Sequence, residues 1–288
     1  MKYRFIENNQ KRFPVQRLCW LLGIRRSSYY AWKKRTPSQQ KQNNLALIEQ
    51  IRRIHHLSRR TYGSPRVYAQ LQRQGITCSP KRVARLMQQD GLQGRRRSRR
   101  VITTHSQHRL LLAPNSLNRE FYADRPDQKW VADITYIPTA EGWLYLAGVL
   151  DLYSRKIVGW AMSEQIDANL VEQALRMALY QRRPGHGLLH HSDRGSQYAS
   201  RQIRALLDTH QIQISMSESG NCYDNAVMES FWGTLKNEWV HHQKYRTRAQ
   251  AKLDIFTYIE GFYNTVRLHS TLGYCSPMEF ESNYDPSP

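Results

Sequence analysis

The sequence has few of the features that mark secreted, disulfide-bonded or membrane-spanning chains. Its 288 residues include only 4 cysteines, which lie far apart without a CxxC pair, so neither a disulfide framework nor a zinc site is predicted. No apolar run approaches the roughly 20 residues of a membrane-spanning helix. The opening stretch MKYRFIENNQ carries charges where a secretory leader would be apolar. We therefore expect a cytoplasmic protein without a membrane partner.

Acidic residues are scarce in the first part of the chain. Residues 1–129 hold 29 Lys and Arg against 6 Asp and Glu, a net charge of +23, whereas residues 130–288 hold 14 against 17, a net charge of −3. This basic excess predicts a polyanionic partner, with nucleic acid ahead of a membrane surface. Compositional bias without a binding role is the alternative. Binding to DNA would make the protein nucleoid-associated.

Residues 1–40 form the first of two predicted helical modules. Two short helical patterns lie on either side of Gly23 in VQRLCWLLGIRRSSYYAW. This is the outline of a helix-turn-helix, although any small helical hairpin shares it. A role in binding nucleic acid is the prediction.

Residues 41–94 form the second predicted module, in which two segments repeat one pattern. Each begins with a Ser cap followed by Pro, at Ser64 and Ser79, and each ends at a glycine, Gly75 and Gly91. The start of the second helix is a candidate recognition surface, and a solvated helix face is the alternative. Its outward cations are Lys81, Arg82 and Arg85.

Residues 95–125 are interpreted as a basic linker. The segment GRRRSRR, residues 94–100, has five arginines in six positions, and the stretch that follows shows no persistent helix or strand period. Contacts with phosphates would release counterions and favour DNA binding, whereas a plain solvated linker is the alternative. The predicted DNA-binding residues are Arg95, Arg96, Arg97, Arg99 and Arg100.

From Trp130 onward the pattern changes to alternating β-branched and aromatic residues. The stretches WVADITYIPT and GWLYLAGVLDLYSRKIVGWAMS predict three strands, and a helix, a strand, a helix, a strand and a helix follow. The order β-β-β-α-β-α-β-α is the ribonuclease H-like arrangement, in which the first and fourth strands are sheet neighbours. We therefore expect a mixed α/β fold, with a ribonuclease H-like catalytic core over 126–285 preceded by all-α helix-turn-helix modules.

Three carboxylates of this core are candidates for one catalytic site. Asp133 lies inside the first strand, where Asp is unusual unless something compensates its charge. Asp193, in HHSDRGSQYAS, closes the fourth strand, although an Asp followed by Arg-Gly is by itself more often a turn residue. Glu229 borders the apolar stripe of the last helix, with 35 residues between it and Asp193. Three acids can hold two divalent ions, the arrangement that phosphodiester transfer needs, and Mg²⁺ suits a site that keeps several waters.

Four neighbouring residues are given structural roles. Asp151 is predicted to stabilise the turn between the second and third strands, and Asp224 to cap the last catalytic helix. Contact of Asp224 with the active site stays open as the alternative. His190 and His191 are predicted to be core residues rather than ligands.

The last part of the chain carries a further helix and a polar segment. Thr247 is predicted to open the helix, which would bury Leu253, Phe256, Ile259 and Phe262. The polar segment either contacts DNA or packs locally at the helix end. Its residues are Asn264, Arg267 and His269.

Long motifs spread over nearly the whole chain resemble the transposases of the insertion-sequence family numbered three. The motifs are WVADITYI, LDLYSRKIVGW, HHSDRGSQYAS, SESGNCYDNAVMESFWGTLKNE and FYNTVRLHSTLGYCSPMEF. Lys236, seven residues beyond Glu229, completes a pattern that is similar to DDE transposases and retroviral integrases. The resemblance is to the family's second-frame product, OrfB.

The resemblance implies a transposase that cleaves DNA at insertion-sequence ends and transfers strands. It implies that Asp133, Asp193 and Glu229 are the catalytic and metal-binding residues, with Asp133 as the bridge between two Mg²⁺ ions, for which Mn²⁺ can substitute. Lys236 would contact DNA. A non-catalytic or accessory DNA-binding protein, or a ribonuclease H-like nuclease with other carboxylate spacing, is the alternative.

The resemblance also implies partners. These are double-stranded DNA, as terminal repeats and as target, and further copies of the chain in a dimer or larger assembly. The upstream-frame OrfA product, free or as a fusion, is a third, because no sustained heptad zipper is present in this sequence.

Overall fold

The computed structural model describes residues 1–36, 38–95, 112–218 and 222–285. Within them the chain divides into two compact units, Met1–Arg52 and Arg53–Pro288. No helix of the described residues is both long enough and apolar enough to cross a bilayer.

The second unit contains both helices and strands, whereas the first is helical. The α-helices of the described residues are α1 Lys2–Asn9, α2 Val15–Leu21, α3 Arg26–Lys34, α4 Gln39–Leu57, α5 Ser64–Arg73, α6 Pro80–Gln89, α7 Ala168–Arg182, α8 Arg201–Thr209, α9 Ala226–Glu238, α10 Arg248–Tyr258 and α11 Pro277–Ser282. The strands are β1 Lys129–Thr139, β2 Gly142–Asp151, β3 Ile157–Ser163, β4 Leu189–Ser192 and β5 Gln213–Met216. Short 3-10 turns lie at Cys222–Asn225, Val240–His242 and Ser270–Leu272, and a π-helical turn at Ile259–Tyr263.

The first unit packs short helices around a small apolar core. That core contains Ile6, Leu18, Cys19 and Tyr29. Gly23, between α2 and α3, has a φ of +63°, a conformation that glycine adopts without the steric cost of a Cβ. The predicted pair of helices around Gly23 is confirmed.

The helices α5 and α6 are the second predicted pair. Both carry Pro in the first turn, and a glycine with positive φ follows each. The Ser79 hydroxyl caps α6 by accepting a hydrogen bond from the Arg82 N–H at 3.3 Å. The predicted cap at Ser64 is wrong, because Ser64 is already helical and the preceding Gly63 offers no side chain.

Side chains near the start of α5 hold the tail of the chain. The Tyr62 hydroxyl donates to the Val266 carbonyl at 3.1 Å and accepts from the Leu268 N–H at 2.8 Å. The Arg66 Nε donates to the Leu268 carbonyl at 3.0 Å. On α5 itself, Arg73 forms an ion pair with Glu279. The helix pair and the tail are therefore joined through main-chain groups near Leu268 and through this ion pair.

A mixed five-stranded sheet of the described residues forms the centre of the second unit. Its strand order is β3-β2-β1-β4-β5. The strand β1 pairs antiparallel with β2 and parallel with β4, and β5 continues the parallel part. The predicted pairing of the first and fourth strands is confirmed, as is the mixed α/β class with a ribonuclease H-like core.

Helices approach the two faces of this sheet at glycines. A Cβ added to Gly159 would lie 2.2 Å from the Ala174 carbonyl oxygen of α7. A Cβ added to Gly148 would lie 2.7 Å from Met228 Cε and 2.9 Å from Trp232 Cη2 of α9. Gly148 pairs with Trp160, the neighbour of Gly159 in β3. Because neighbouring residues of a strand point to opposite faces, α7 and α9 cover opposite faces.

The buried face of α10 differs from the prediction. Thr247 caps the helix as expected, by accepting from the Gln250 N–H at 3.1 Å. Ile259 and Phe262 are buried, but Leu253 and Phe256 are exposed. Three residues turn an α-helix by about 300°, which is about 60° short of a full turn. Side chains spaced by three therefore point in steadily different directions, and those furthest from Phe262 no longer lie on the buried face.

The close approach of α7 predicts a large cost for a methyl group at Gly159. We expect Gly159→Ala to lower the free energy of unfolding by about 3 kcal/mol, the upper end for overpacking, because the overlap is with a backbone carbonyl. Urea denaturation of the whole chain measures this. Gly185→Ala is the matched control, since a Cβ there meets nothing within 4 Å. Equal losses in the two variants would refute the explanation.

Candidate active site

The parallel pairing of β1 with β4 brings Asp133 and Asp193 side by side. Ala132 is in register with Ser192, and an aspartate follows each of them. The Asp193 Oδ1 accepts a hydrogen bond from the Gly195 N–H at 3.0 Å. Asp193 therefore does form a turn, and the turn orients its carboxylate beside β1.

The helix α9 adds the third carboxylate from above the sheet. Gly148 lies opposite Asp133 in the β1–β2 pairing, and its missing side chain leaves room for α9. The Trp232 Nε1 donates to the Asp133 Oδ2 at 3.0 Å. Glu229 is half-buried in the first turn of α9 and lies three residues from Trp232, on the same side of the helix.

The charges of the three carboxylates act on one another. Burial raises the pKa of Asp133 well above its ordinary value, and the charges of Asp193 and Glu229 raise it further. The hydrogen bonds from the Ile134 N–H and from Trp232 lower it. Ionising Asp133 thus works against both desolvation and like-charge repulsion, and a cation would offset both.

The three carboxylates are neighbours without forming a closed ligand cage. In the part of the chain that the structure describes, no three His, Cys, Asp or Glu side chains are gathered so as to hold a metal ion. Their chemistry nevertheless fits a divalent ion, because carboxylate oxygens are the protein ligands that Mg²⁺ takes. The repulsion that raises the pKa of Asp133 is also what such an ion would relieve.

Lys236 lies on α9 near the carboxylates. Its Nζ is 4.4 Å from the centre of the Tyr136 ring, a cation–π contact. Burial lowers the pKa of Lys236, and the charge of Asp133 raises it. The ammonium group therefore lies within electrostatic reach of the site, and its contact with DNA stays a prediction.

The predicted DNA-binding residues of the basic part lie in different surroundings. On α6, Lys81 and Arg85 are exposed and Arg82 is half-buried. Arg95 donates to the Glu238 carbonyl, and its guanidinium lies 5.8 Å from the centre of the Trp239 ring. The remaining predicted arginines lie outside the described residues: Arg96, Arg97, Arg99 and Arg100.

Tyr198, Asn225 and Trp232 surround the carboxylates, and no sequence pattern singled them out. The buried Tyr198 hydroxyl has no hydrogen-bond partner among the described residues. Burial and the charges of Asp133 and Asp193 raise its pKa well above the ordinary value. The Asn225 Nδ2 donates to the Ala132 carbonyl at 3.0 Å. Their closeness in sequence to Asp193 and Glu229 was the available signal.

Two other acids have structural partners. The Asp151 Oδ1 accepts from the Ser154 N–H at 3.1 Å, which confirms its predicted turn, and burial raises its pKa to about 6. The predicted cap by Asp224 is wrong, because no side chain caps α9 and a 3-10 turn precedes it. Asp224 instead accepts from the Asn115 Nδ2 at 3.0 Å and the Arg119 Nε at 2.8 Å. It thereby anchors the segment that leads into β1.

Both predicted core histidines are buried in β4. His191 has partners at both ring nitrogens, the Ser215 hydroxyl at 2.9 Å and the Ser217 hydroxyl at 3.1 Å. Neither ring nitrogen of His190 has a partner among the described residues. Burial lowers the pKa of each histidine to about 4, so both are neutral at physiological pH.

The polar residues of the tail pack locally. The Asn264 side chain bonds to the N–H and the carbonyl of Ile157, each at 3.0 Å. Arg267 donates to both oxygens of Glu238 at 2.7 and 2.6 Å. Burial alone would lower the pKa of Arg267, but the bonds and charge of Glu238 raise it. This ion pair fixes the last residue of α9, and His269 Nε2 lies 3.2 Å from Arg267 Nη1.

Family models match both parts of the chain. Integrase core domain models match residues 123–222 and 210–277, and an HTH-like domain model matches residues 42–100. The fold and these matches define an integrase-type core that follows a helix-turn-helix-like module.

Relatives match almost the full length. An uncharacterized 31 kDa protein of insertion element IS600 from Shigella sonnei is 46% identical over 267 residues, 93% of this chain and 98% of that protein. Transposase InsF of insertion sequence IS3A from Escherichia coli K12 is 39% identical over 284 residues, 98% and 99% of the two chains. A chain in the structure of the simian T-cell lymphotropic virus intasome in complex with PP2A regulatory subunit B56 gamma matches with a TM-score of 0.49 at 11% identity, covering 82% of this chain and 76% of that chain. The chain belongs to the IS3 family of insertion-sequence transposases, enzymes of the polynucleotidyl transferase type that act on DNA.

The crowding of carboxylates predicts that Asp133→Asn stabilises the protein when divalent ions are chelated. The pKa of Asp133 is higher in the folded state than in the unfolded state. Asp133 therefore contributes fully to the free energy of unfolding below its unfolded-state pKa, and this contribution is lost as the pH rises through its folded-state pKa. Asn at this position removes the charge, and its amide oxygen can still accept a hydrogen bond from the Trp232 Nε1. In EDTA at neutral pH we expect the midpoint of thermal unfolding to rise by several degrees, since 1 kcal/mol corresponds to about 2–4 °C at this domain size.

The gain from Asp133→Asn should shrink as pH is lowered, because the parent carboxyl then becomes protonated. Asp208→Asn on α8 removes an exposed carboxylate and controls for net charge. Identical midpoints for Asp133→Asn and the parent at neutral pH would contradict the repulsion.

The buried ion pair at the end of α9 predicts an unequal response of two glutamates. Glu238→Gln leaves Arg267 buried without its counter-charge, which costs about 3–5 kcal/mol. Glu279→Gln removes a charge from a pair whose side chains are 36% and 38% exposed, which is worth about 0–1 kcal/mol. Chemical denaturation of both variants measures the difference. Similar losses would show that burial of the Glu238 pair is not what matters.

Proposed function

We propose that Asp133, Asp193 and Glu229 form a DDE triad for cleavage and strand transfer at insertion-sequence ends. One observation carries this proposal. Three carboxylates from β1, from the end of β4 and from α9 lie close enough for the charges of two to raise the pKa of the third. A fold gains no stability from such repulsion, so a chemical role explains it better.

The triad would hold two divalent ions, with Asp133 shared between them and Asp193 and Glu229 completing one site each. Mg²⁺ is the proposed ion, and Mn²⁺ would substitute. When bound, such ions activate the attacking oxygen and stabilise the leaving oxygen of a phosphodiester. The open arrangement suggests that movement of α9 over DNA draws Glu229 towards the two aspartates.

The chain's own residues orient this triad. Trp232 restrains the Asp133 carboxylate through its Oδ2, and the Gly195 N–H restrains Asp193 through its Oδ1. Lys236 would contact a DNA phosphate beside the carboxylates. Burial weakens its hold on the proton, while Asp133 favours the charged form.

DNA contacts outside the core are also proposed, within domains bounded at 1–40, 41–94, 95–125 and 126–285. The partners would be double-stranded element ends and target DNA, with two or more protomers on the DNA and the OrfA product, free or as a fusion. The site of action would be the cytoplasm, at the nucleoid. The proposed contact residues are Lys81, Arg82, Arg85, Arg95, Arg96, Arg97, Arg99 and Arg100.

A strand cleavage and joining assay tests the triad. Labelled DNA carrying the element's own terminal repeats is incubated with Mg²⁺ or Mn²⁺ and the parent, Asp193→Asn or Glu229→Gln. We expect both variants to bind DNA as the parent does and to lose about a hundredfold or more of the rate, since ligand loss removes several kcal/mol of transition-state stabilisation.

Two exposed acids serve as controls for this assay. Asp208→Asn and Glu120→Gln make the same chemical changes away from the site and should keep the parent rate. Full activity in Asp193→Asn or Glu229→Gln would exclude the triad. If the parent itself does not cut, repeating the assay with the upstream-frame fusion separates an accessory DNA-binding protein from an enzyme that needs its fused partner.

A further inference from the structure

A pocket lies on a different side of α9 from the catalytic carboxylates. It has a volume of about 400 Å³, and Ser230 and Thr234 of α9 contribute to its wall. Glu229, which precedes Ser230, belongs to the carboxylate site. Successive helix residues are about 100° apart, so the same helix separates the pocket from the carboxylates.

Three arginines line this pocket: Arg66, Arg155 and Arg267. Arg267 is paired with Glu238, and the Arg66 Nη1 lies 3.5 Å from the same carboxylate. The Arg155 Nη2 donates to the Phe121 carbonyl at 3.1 Å, but its Nη1 has no hydrogen-bond partner among the described residues. Glu238 thus pairs with two of the three guanidinium groups, and the residues that the structure places along the pocket wall include no carboxylate.

The surroundings of His269 show that the three cations converge. Burial lowers its pKa well below the ordinary value, and the charges of Arg267, Arg66 and Arg155 lower it further. Burial lowers the pKa of Arg155, and Tyr263 and Asp151 raise it; the Asp151 carboxylate is engaged in the turn before β3. The pocket therefore keeps an excess of positive charge.

We propose that this pocket binds a phosphate group, and that in this transposase the phosphate belongs to the DNA backbone. Guanidinium groups match the oxygens of a phosphate with two donors at once. The exposed residues Ser270 and Thr271 lie at the pocket and leave it open to a strand. A free phosphate ion offers the same chemistry and is the other source.

Binding here would anchor DNA at a fixed distance from the triad. The helix α9 carries Glu229 on one side and the pocket on another, which sets the two sites roughly one helix diameter, about 10 Å, apart. The inference does not depend on metal binding, because its test measures DNA affinity and not strand transfer.

Arg155→Gln in the whole chain tests the pocket against DNA carrying an element end. We expect the affinity to fall at least fivefold at low salt. The slope of log K against log salt should become shallower by about 0.9, the value for one lost phosphate contact. Arg183→Gln is the matched control, because it removes one arginine from another turn position with positive φ, +46° against +60°. It should keep the parent slope.

A methylphosphonate scan of the same DNA tests the contact without relying on a variant's folding. Neutralising one particular phosphate should weaken binding of the parent several-fold. The same substitution should leave the affinity of Arg155→Gln unchanged. If every neutralised phosphate affects parent and variant alike, no backbone phosphate contacts Arg155.

Thermal unfolding in inorganic phosphate, at ionic strength matched with NaCl, tests the other source. If phosphate raises the midpoint of the parent but not of Arg155→Gln, while both DNA experiments show no dependence on Arg155, the pocket is a phosphate site for a small ion. If neither DNA nor phosphate distinguishes Arg155→Gln from Arg183→Gln, the proposal is overturned and the arginines are structural only.

Discussion

The second unit is organised around one constraint: carboxylates of like charge must be held close together. Asp133 and Asp193 are adjacent only because β1 and β4 run parallel and in register, with an aspartate following Ala132 in one strand and Ser192 in the other. A one-residue slip would turn the side chain of Asp133 to the opposite face. The sheet therefore determines the site before α9 contributes anything.

The face of the sheet opposite this site is packed with apolar side chains. There α7 packs its apolar side against β2 and β3, with Leu170, Ala174 and Leu175 almost fully buried. Small residues and Gly159 bring the helix backbone close to the strand, which gives dense packing. On the catalytic face α9 also buries apolar side chains, including Met228, Phe231 and Leu235. Polar contacts are added there by Trp232 with Asp133 and by Glu238 with Arg267. Both faces therefore bury apolar side chains, and the catalytic face carries the charged groups in addition.

The order of strands and the places of the two aspartates follow from local pattern. Alternating apolar residues define β1 to β3, and Asp167 caps α7 by accepting a hydrogen bond from the Leu170 N–H, because caps and alternation depend on neighbours in sequence. Contacts between distant segments could not be predicted in this way. Asp224 bonds to Arg119, more than a hundred residues away, instead of to the helix that follows it.

Arg267 is another residue whose contacts could not be predicted from the local sequence pattern. An arginine in a polar tail suits DNA contact and local packing equally well, and its burial and its pairing with Glu238 are visible only in the folded chain. Trp232 is a similar case, since a tryptophan on an apolar stripe predicts packing, and its single N–H becomes informative only once Asp133 is seen beneath it. Burial and pairing are properties of the assembled chain.

The contacts of Tyr62 and Arg66 with the main chain around Leu268 bear on how such proteins can diversify. Most of these bonds end on backbone groups of the tail, so they constrain its path more than its side chains. A recombination event that replaced the helix-turn-helix-like module alone would leave those carbonyl and N–H groups without partners. New specificity for element ends should therefore arise by change within this module, or by inheritance of the module together with the far end of the gene, and seldom by exchange of the module alone.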